Sequence, residues 1–217
     1  NKILKTSLLY FIIFCTCSLS FGKRTHEENL ISLSKSSGLS DSVLNYIQVV
    51  RGLANSNPDS ALMYVDKLDD FVISRNFKFK SGEKSKLYLF KGVANYKKRN
   101  YSKTRHLIEK SLNLGHVDSL EGQRYFYLAL SHKNLGNYSQ STEFFMKSIN
   151  YFEDSKDNYA KIGVLINLSN VFAQTKQYPS ALKYLNEALN LAEKHNTPKA
   201  NRNIYNGMGN VFMEMAD

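Results

Sequence analysis

The sequence predicts an all-α fold, a right-handed superhelical solenoid of antiparallel helical hairpins. Three observations predict it: phrases of similar helical pattern recur at near-regular spacing, small residues recur at fixed places within them, and short polar turns separate them. A fixed internal period of this size indicates stacked copies of one supersecondary unit, each of which needs its neighbours to bury its apolar face.

The period is clearest in the C-terminal half of the chain. The phrase GNYSQSTEFFMKSI from Gly136 aligns with KQYPSALKYLNEAL from Lys176 at an offset of 40 residues, the difference between those two positions. Related phrases begin at Arg99 and, more faintly, at Ser56. Each phrase follows another segment of helical period, so the unit is a pair of helices. The predicted hairpins cover about 41–75, 84–115, 122–154 and 161–195, with a truncated fifth at 200–217.

Small residues recur in both helices of the unit. Two antiparallel helices approach closely only where the side chains at their crossing are small. A glycine inside a helix costs roughly 1 kcal/mol relative to alanine, so close packing is the expected compensation. The first-helix column holds Gly92, Ala129, Ser169 and Gly209, and the second-helix column holds Ala61, Thr104, Ser141 and Ala181.

The N-terminal 22 residues have the pattern of an export signal. Lys2 and Lys5 precede a short apolar run, and small residues follow it before Lys23. The run is shorter than the roughly 20 residues that a spanning helix needs, so a cleaved signal peptide at 1–22 is favoured over a retained anchor. Lipidation at Cys17 is a weaker alternative. Residues 23–40 then form a lead-in segment before the repeats at 41–217.

The repeat phrases resemble the tetratricopeptide repeat, whose pattern runs from an aromatic residue through Leu-Gly and Tyr to Ala, Phe and a final Pro. Here Tyr or Leu occupies the place of the family's first-helix Trp, the final Pro is missing, and the spacing is longer than in that family. The likeness covers about 41–217. Together with the export signal, it is similar to the exported sensor portions of bacterial regulators and histidine kinases. In those proteins a membrane helix and an output module follow the repeats.

Catalytic and metal-binding patterns do not emerge from the sequence. The only cysteines, Cys15 and Cys17, lie in the signal segment, and the five histidines lack metal-ligand spacing. His132 occupies the same repeat position as Phe172 and Phe212, so it is expected to be a packed core residue. We therefore predict a protein that is not an enzyme, with no cofactor and no small-molecule substrate.

Function is expected on the concave surface that the first helices of stacked hairpins form, a usual place for an extended peptide or a partner helix. Asn170 and Asn210 are equivalent in the repeat, and each offers a donor and an acceptor to a peptide backbone. A hydrogen bond between neighbouring helices is an alternative role for both. The predicted concave face comprises Leu89, Val93, Tyr96, Phe126, Leu130, Lys133, Asn134, Asn167, Asn170, Gln174, Asn206 and Asn210.

The resemblance also implies one binding mode that this sequence does not match. Chaperone-binding tetratricopeptide repeats hold a C-terminal carboxylate with Lys and Asn from successive first helices. The corresponding places in the second and third units are apolar, so a terminal carboxylate is not expected to bind there. These places carry Leu89 with Val93, and Phe126 with Leu130.

The positive charge is concentrated in one segment. The chain has 29 basic and 19 acidic residues, whereas residues 75–110 hold twelve of the basic and two of the acidic ones. Because these basic side chains are spread around two helices, they are interpreted first as residues of solvent-exposed helix faces. As a patch, they would attract an acidic protein, anionic lipid or surface polymer, and nucleic acid is not expected. The candidate patch comprises Lys84, Lys86, Lys91, Lys97, Lys98, Arg99, Lys103 and Arg105.

These observations favour an exported, non-enzymatic module that binds a protein or peptide and belongs to a larger sensor or scaffold protein. The alternative is the input domain of a signalling histidine kinase or DNA-binding regulator, with a membrane tether and an output module encoded beyond Asp217. In both cases the expected location is the periplasm or the extracytoplasmic side of a membrane. The sequence does not predict the identity of the partner.

Overall fold

The computed structural model describes residues 38–115 and 120–216, and these residues contain nine α-helices and no strand. The predicted all-α solenoid of hairpins is therefore confirmed. The predicted signal peptide at 1–22, most of the lead-in segment and the final Asp217 lie outside the described residues. The helices are α1 Leu39–Leu53, α2 Pro58–Ser74, α3 Ser81–Lys97, α4 Tyr101–Asn113, α5 Glu121–Asn134, α6 Tyr138–Asp154, α7 Asn158–Gln174, α8 Tyr178–Lys194 and α9 Pro198–Ala216.

The turns of the α3–α4 and α7–α8 hairpins share one backbone conformation. Arg99 and Lys176 follow the first helices α3 and α7 and take left-handed φ angles of 61° and 58°. In each case the next residue donates its N–H back into the helix that has just ended, as Gln177 does to the carbonyl of Phe172 at 2.8 Å. This arrangement satisfies carbonyls that a helix end leaves free and reverses the chain within a few residues.

The helices form two layers. Each helix packs against its neighbours in sequence, and α1, α3, α5, α7 and α9 also pack against one another in that order. We call these five the first helices and α2, α4, α6 and α8 the second helices. Within the described residues, the second helices pack mainly against the first helices, although the hydroxyl of Tyr184 in α8 donates to the sulfur of Met146 in α6 at 3.9 Å. The first helices therefore form the continuous inner layer of the solenoid.

The small residues lie at the hairpin crossings, as the columns predicted. A Cβ atom added at Gly92 would come within 2.7 Å of Ile108 Cδ1, and Thr104 donates its hydroxyl to the Gly92 carbonyl at 3.3 Å. In the next hairpin, Ser141 donates to the carbonyl of Ala129 at 2.9 Å. Gly209 differs, because no described atom lies within 4 Å of an added Cβ. Close packing explains the glycine in α3 but not the one in α9.

A buried ion pair within α5 lies where the second and third hairpins meet. Arg124 and Glu121 in α5 are almost fully buried, and their side chains meet at 2.6 Å. Arg124 also donates to the carbonyl of Gly115 at 3.0 Å and to the Ser85 hydroxyl of α3. Burial lowers the pKa of Arg124, and Glu121 opposes that change. Removing one partner of such a pair typically costs about 3–5 kcal/mol, so this contact helps to fix how the hairpins stack.

None of the helices in the two described ranges combines the length and the apolar character that crossing a membrane requires.

Candidate protein-binding surface

The structure divides the predicted concave face into two parts. In the N-terminal part, Leu89 and Val93 of α3 have 0% of their surface exposed, and Leu130 of α5 has 5%. The prediction that these three side chains are exposed is wrong. In the C-terminal part, Asn170 and Asn210 occupy the positions equivalent to Val93 and Leu130, and both are exposed. Equivalent positions thus form core at one end and surface at the other.

The first hairpin closes the N-terminal part. Helix α1 packs on α3, and the guanidinium carbon of Arg51 lies 5.9 Å from the centre of the Phe90 ring. Asn55, between α1 and α2, accepts a hydrogen bond from the hydroxyl of Tyr127 in α5 at 3.0 Å. Burial raises the pKa of Tyr127 to about 12. The α1–α2 region therefore reaches past α3 to α5 and leaves no open groove over Leu89 and Val93.

The open part of the inner surface carries side-chain amides. Half-buried Asn167 lies beside exposed residues on α5, α7 and α9. Asn170, Asn206 and Asn210 make no side-chain hydrogen bond to any described residue. The alternative role predicted for Asn170 and Asn210, a hydrogen bond between neighbouring helices, is therefore not observed. We call this surface the amide-lined face, and it comprises Asn134, Asn167, Asn170, Gln174, Asn206 and Asn210.

Two half-buried side chains meet at the edge of the amide-lined face. Lys133 of α5 donates from Nζ to Oδ1 of Asn167 in α7 at 3.2 Å. Asn167 in turn donates from Nδ2 to the carbonyl of Gly163 at 2.9 Å, which fixes the orientation of its amide. Burial lowers the pKa of Lys133. Lys133 thus spans the boundary between two hairpins on the inner surface.

Tyr96 and Asn134 form the transition between the closed and open parts. Tyr96 packs edge-on against Tyr127 with ring centres 5.6 Å apart, and burial raises its pKa. Asn134 donates from Nδ2 to the carbonyl of Leu130 at 2.8 Å. Its Oδ1 therefore remains an acceptor at an exposed position. Phe126, also predicted on this face, is half-buried and packs against the Tyr127 ring at 5.4 Å.

Sequence reasoning missed three of these features. The bond from Arg124 to Ser85 and the bond from Tyr127 to Asn55 join residues whose proximity depends on how hairpins stack, which no local pattern specifies. The Lys133–Asn167 pair could have been found from the repeat. Lys133 is equivalent to Tyr96, 37 residues earlier, and Asn167 is equivalent to Tyr127, 40 residues earlier. Those rings also touch, so the repeat itself pairs the two positions.

The basic segment is partly neutralised by the acidic helix before it. Lys91 lies 3.9 Å from Asp69 of α2, and Lys98 pairs with Asp59 of the same helix. Burial raises the pKa of Asp69, and Lys91 opposes the rise. Arg105 lies 3.9 Å from Glu109 within α4. The remaining members of the candidate patch are half-buried Lys86 and exposed Lys84, Lys97, Arg99 and Lys103. Their role as a patch for an acidic partner stays a prediction.

His132 is packed in the core, as its repeat position predicted. Its ring is buried and lies 5.3 Å from the Phe144 ring, and its Nδ1 has no hydrogen-bond partner in the described part of the chain. Burial lowers its pKa, and nearby Arg105 lowers it further. In residues 38–115 and 120–216, no three His, Cys, Asp or Glu side chains are grouped so that they could hold a metal ion.

Comparison with known proteins agrees with this geometry. Residues 120–194, which span α5 to α8, match the family model of the tetratricopeptide repeat. The fold is that of a tetratricopeptide-repeat solenoid. Tetratricopeptide repeats are protein-interaction scaffolds, and this module is suited to protein–protein interaction. No curated protein sequence matches the chain.

Several solved structures resemble the chain at low sequence identity. MamA is 17% identical with a TM-score of 0.55, covering 79% of this chain and 87% of its own. The apo form of RapI is 12% identical with a TM-score of 0.66, covering 88% of this chain and 53% of its own. A signal transduction ATPase from Pyrococcus horikoshii, with a tetratricopeptide repeat sensor, is 16% identical with a TM-score of 0.64, covering 86% of this chain and 30% of its own. At these identities the likeness shows the fold alone.

Proposed function

We propose that this chain is a non-enzymatic module that binds an extended peptide or protein segment along the amide-lined face. One observation carries the proposal: Asn170 and Asn210 are exposed at equivalent positions of α7 and α9, and neither makes a side-chain hydrogen bond to a described residue. A primary amide presents a donor and an acceptor, which match the carbonyl and N–H of a peptide backbone. Binding of this kind tolerates many ligand sequences.

Selection from a random peptide display library on the full chain tests this proposal. We expect enriched peptides that lose about tenfold or more in affinity for the double variant Asn170→Ala, Asn210→Ala, because two hydrogen bonds of about 0.5–1.5 kcal/mol each are removed. The matched control is Asn150→Ala, Asn190→Ala, which changes exposed asparagines at equivalent positions of α6 and α8. An enriched pool that binds the Asn170, Asn210 variant as well as it binds the control would contradict the proposal.

We also propose that the module is exported and works as the sensor or scaffold part of a larger protein. The signal-like pattern of residues 1–22 supports export to the periplasm or to the extracytoplasmic side of a membrane. The solved ATPase described as having a tetratricopeptide repeat sensor supports the sensor role by analogy of fold. Fractionation of the cells that express the native gene tests the location, and recovery in the cytoplasm would contradict it.

The second candidate is the input domain of a histidine kinase or a DNA-binding regulator, tethered to a membrane and acting through an output module. The same fold analogy favours it, since the solenoid covers 30% of the ATPase chain. Sequencing the gene beyond Asp217 tests this candidate. A coding sequence for a membrane helix and an output module would support it, and a stop codon at that point would exclude it.

A further inference from the structure

Lys133 is a cation of the inner surface without an acidic partner. Its Nζ bonds to Asn167 Oδ1 at 3.2 Å, and among the described residues no carboxylate oxygen lies within 4.0 Å of it. This distinguishes it from Lys91, Lys98 and Lys147, each of which pairs with an acid. Lys133 is also half-buried, so water compensates its charge less fully than that of a surface lysine.

The hydrogen-bond capacity of this pair is only partly used. An ammonium group has three N–H donors, and one of them goes to Asn167. The amide of Asn167 cannot turn to take a second role, because its Nδ2 donates to the Gly163 carbonyl. Lys133 therefore keeps two donors for a ligand, and the orientation of its neighbour is already fixed.

Packing between hairpins does not require a lysine at this place. The equivalent pair one hairpin earlier is Tyr96 with Tyr127, whose rings fill the boundary at 5.6 Å. The equivalent pair one hairpin later, 40 residues further along, is Ala173 and Gly207, and both residues are small. Aromatic and small pairs thus serve the neighbouring boundaries of the same solenoid. Packing between hairpins therefore does not explain why a lysine occupies the boundary between α5 and α7.

We infer that Lys133 binds the side-chain carboxylate of an Asp or Glu residue in a peptide that lies along the amide-lined face. The inference rests on the proposed function and specifies its ligand. Exposed Asn134 is next in sequence, and its free Oδ1 can accept a backbone N–H of the peptide near that acidic residue. The group that binds Lys133 is a side-chain carboxylate within the peptide, flanked by backbone contacts to the amides. The site therefore differs from one that holds a C-terminal carboxylate.

Display selection on variants of Lys133 tests the inference. A random peptide library is selected on the full wild-type chain, on Lys133→Met, on Lys133→Glu, and on the control Lys194→Met, which removes an exposed lysine of α8. We expect one position of the wild-type pool to be Asp or Glu, and the control pool to share it. The Lys133→Met pool should lose that preference, and the Lys133→Glu pool should replace it with Lys or Arg.

Affinities of individual wild-type-selected peptides sharpen the test. Their affinity should fall roughly ten- to hundredfold on Lys133→Met, the range expected for a charge-assisted hydrogen bond. It should fall far less on Lys133→Arg, which retains the charge, and this conservative variant guards against a folding defect in the other two. Circular dichroism melting of each variant shows whether the solenoid is intact.

The outcomes separate the inference from the proposal beneath it. Peptides that need Asn170 and Asn210 but show no acidic preference would overturn the inference and leave the proposed function standing. An acidic preference unchanged in Lys133→Met would also overturn it, since the lysine would then be only a packed stem. A library that yields no binder to the wild-type chain would contradict both.

Discussion

The two ends of the inner surface are built from the same repeat and have opposite characters. At the N-terminal end, the position held by Val93 is completely buried, and α1 of the first hairpin packs against its helix α3. At the C-terminal end, the same position is held by Asn170 and Asn210, which are exposed. The closed end is apolar and continuous with the core, whereas the open end presents amides.

This difference shows that one repeat position serves as core or as surface, according to what the neighbouring hairpin covers. Over the closed end, α1 contributes Arg51 against the Phe90 ring, and Asn55 reaches Tyr127. The residue types agree with this packing. Apolar residues lie where the first hairpin packs, and amides lie at the exposed positions further along the solenoid. The binding surface is therefore expected on α5, α7 and α9 rather than along the whole solenoid.

Moving an amide into the closed end is the strongest test of this comparison. Val93→Asn should lower the free energy of unfolding by about 2–4 kcal/mol, because it removes buried apolar surface and buries an amide without a built partner. Urea unfolding followed by circular dichroism measures the change. A loss below about 1 kcal/mol would mean that the first hairpin does not pack closely over α3.

The reciprocal change at the open end is the matched control. Asn170→Val places the apolar residue at an exposed position of α7, where substitutions usually change stability by no more than about 0.5 kcal/mol. A small effect there beside a large effect at Val93 would confirm that the two ends differ. Equal effects at both positions would show that the register of the repeats is wrong.

The two helices of each hairpin are expected to cross equally closely at both ends of the solenoid. Ala181 of α8 is fully buried, in the column where Thr104 and Ser141 bond to the facing helix. Ala181→Leu should therefore cost about 1–3 kcal/mol through overpacking, which a thermal melt detects. Asn186→Leu, at an exposed position of the same helix, should leave the melt nearly unchanged. An unchanged melt for Ala181→Leu would show that the open end has a different crossing.

Features within one hairpin were predictable from the sequence, because helical period and small residues are local signals. The crossing of Gly92 with Thr104 and the buried place of His132 followed from single columns. Exposure along the inner surface was predicted less well, because it depends on how neighbouring hairpins approach. Leu89 and Val93 were placed on the concave face by position alone, although their apolar character already suggested a cover.

Contacts between hairpins were the part that the sequence did not specify. Arg124 and Glu121 are charged and would ordinarily be expected at the surface, yet they are buried. The Ser85 hydroxyl of the preceding hairpin and the carbonyl of Gly115 accept hydrogen bonds from Arg124, although its Nε has no partner among the described residues. Asn55 and Tyr127 are 72 residues apart, and no periodic signal links them. Such pairs become visible only when the rotation between successive hairpins is known.

The bond between Tyr127 and Asn55 gives the closed end a pH dependence of its own. Burial raises the pKa of Tyr127 to about 12, above the value near 10 of an exposed tyrosine. The unfolded chain therefore loses this proton first. The stabilisation from the buried phenol is complete below about pH 10 and is lost as the pH rises through about 12, by about 1 kcal/mol at pH 11.

Urea unfolding at pH 8 and pH 11 tests that dependence, since Tyr127→Phe has no proton to lose at this place. We expect the variant to be slightly less stable at pH 8, because it lacks a hydrogen bond, and to lose about 1 kcal/mol less than the wild type on going to pH 11. Asn55→Ala keeps the buried phenol and should retain most of the wild-type fall. If Tyr127→Phe and the wild type lost the same stability between the two pH values, the phenol would be solvated and the first hairpin would not close over α5.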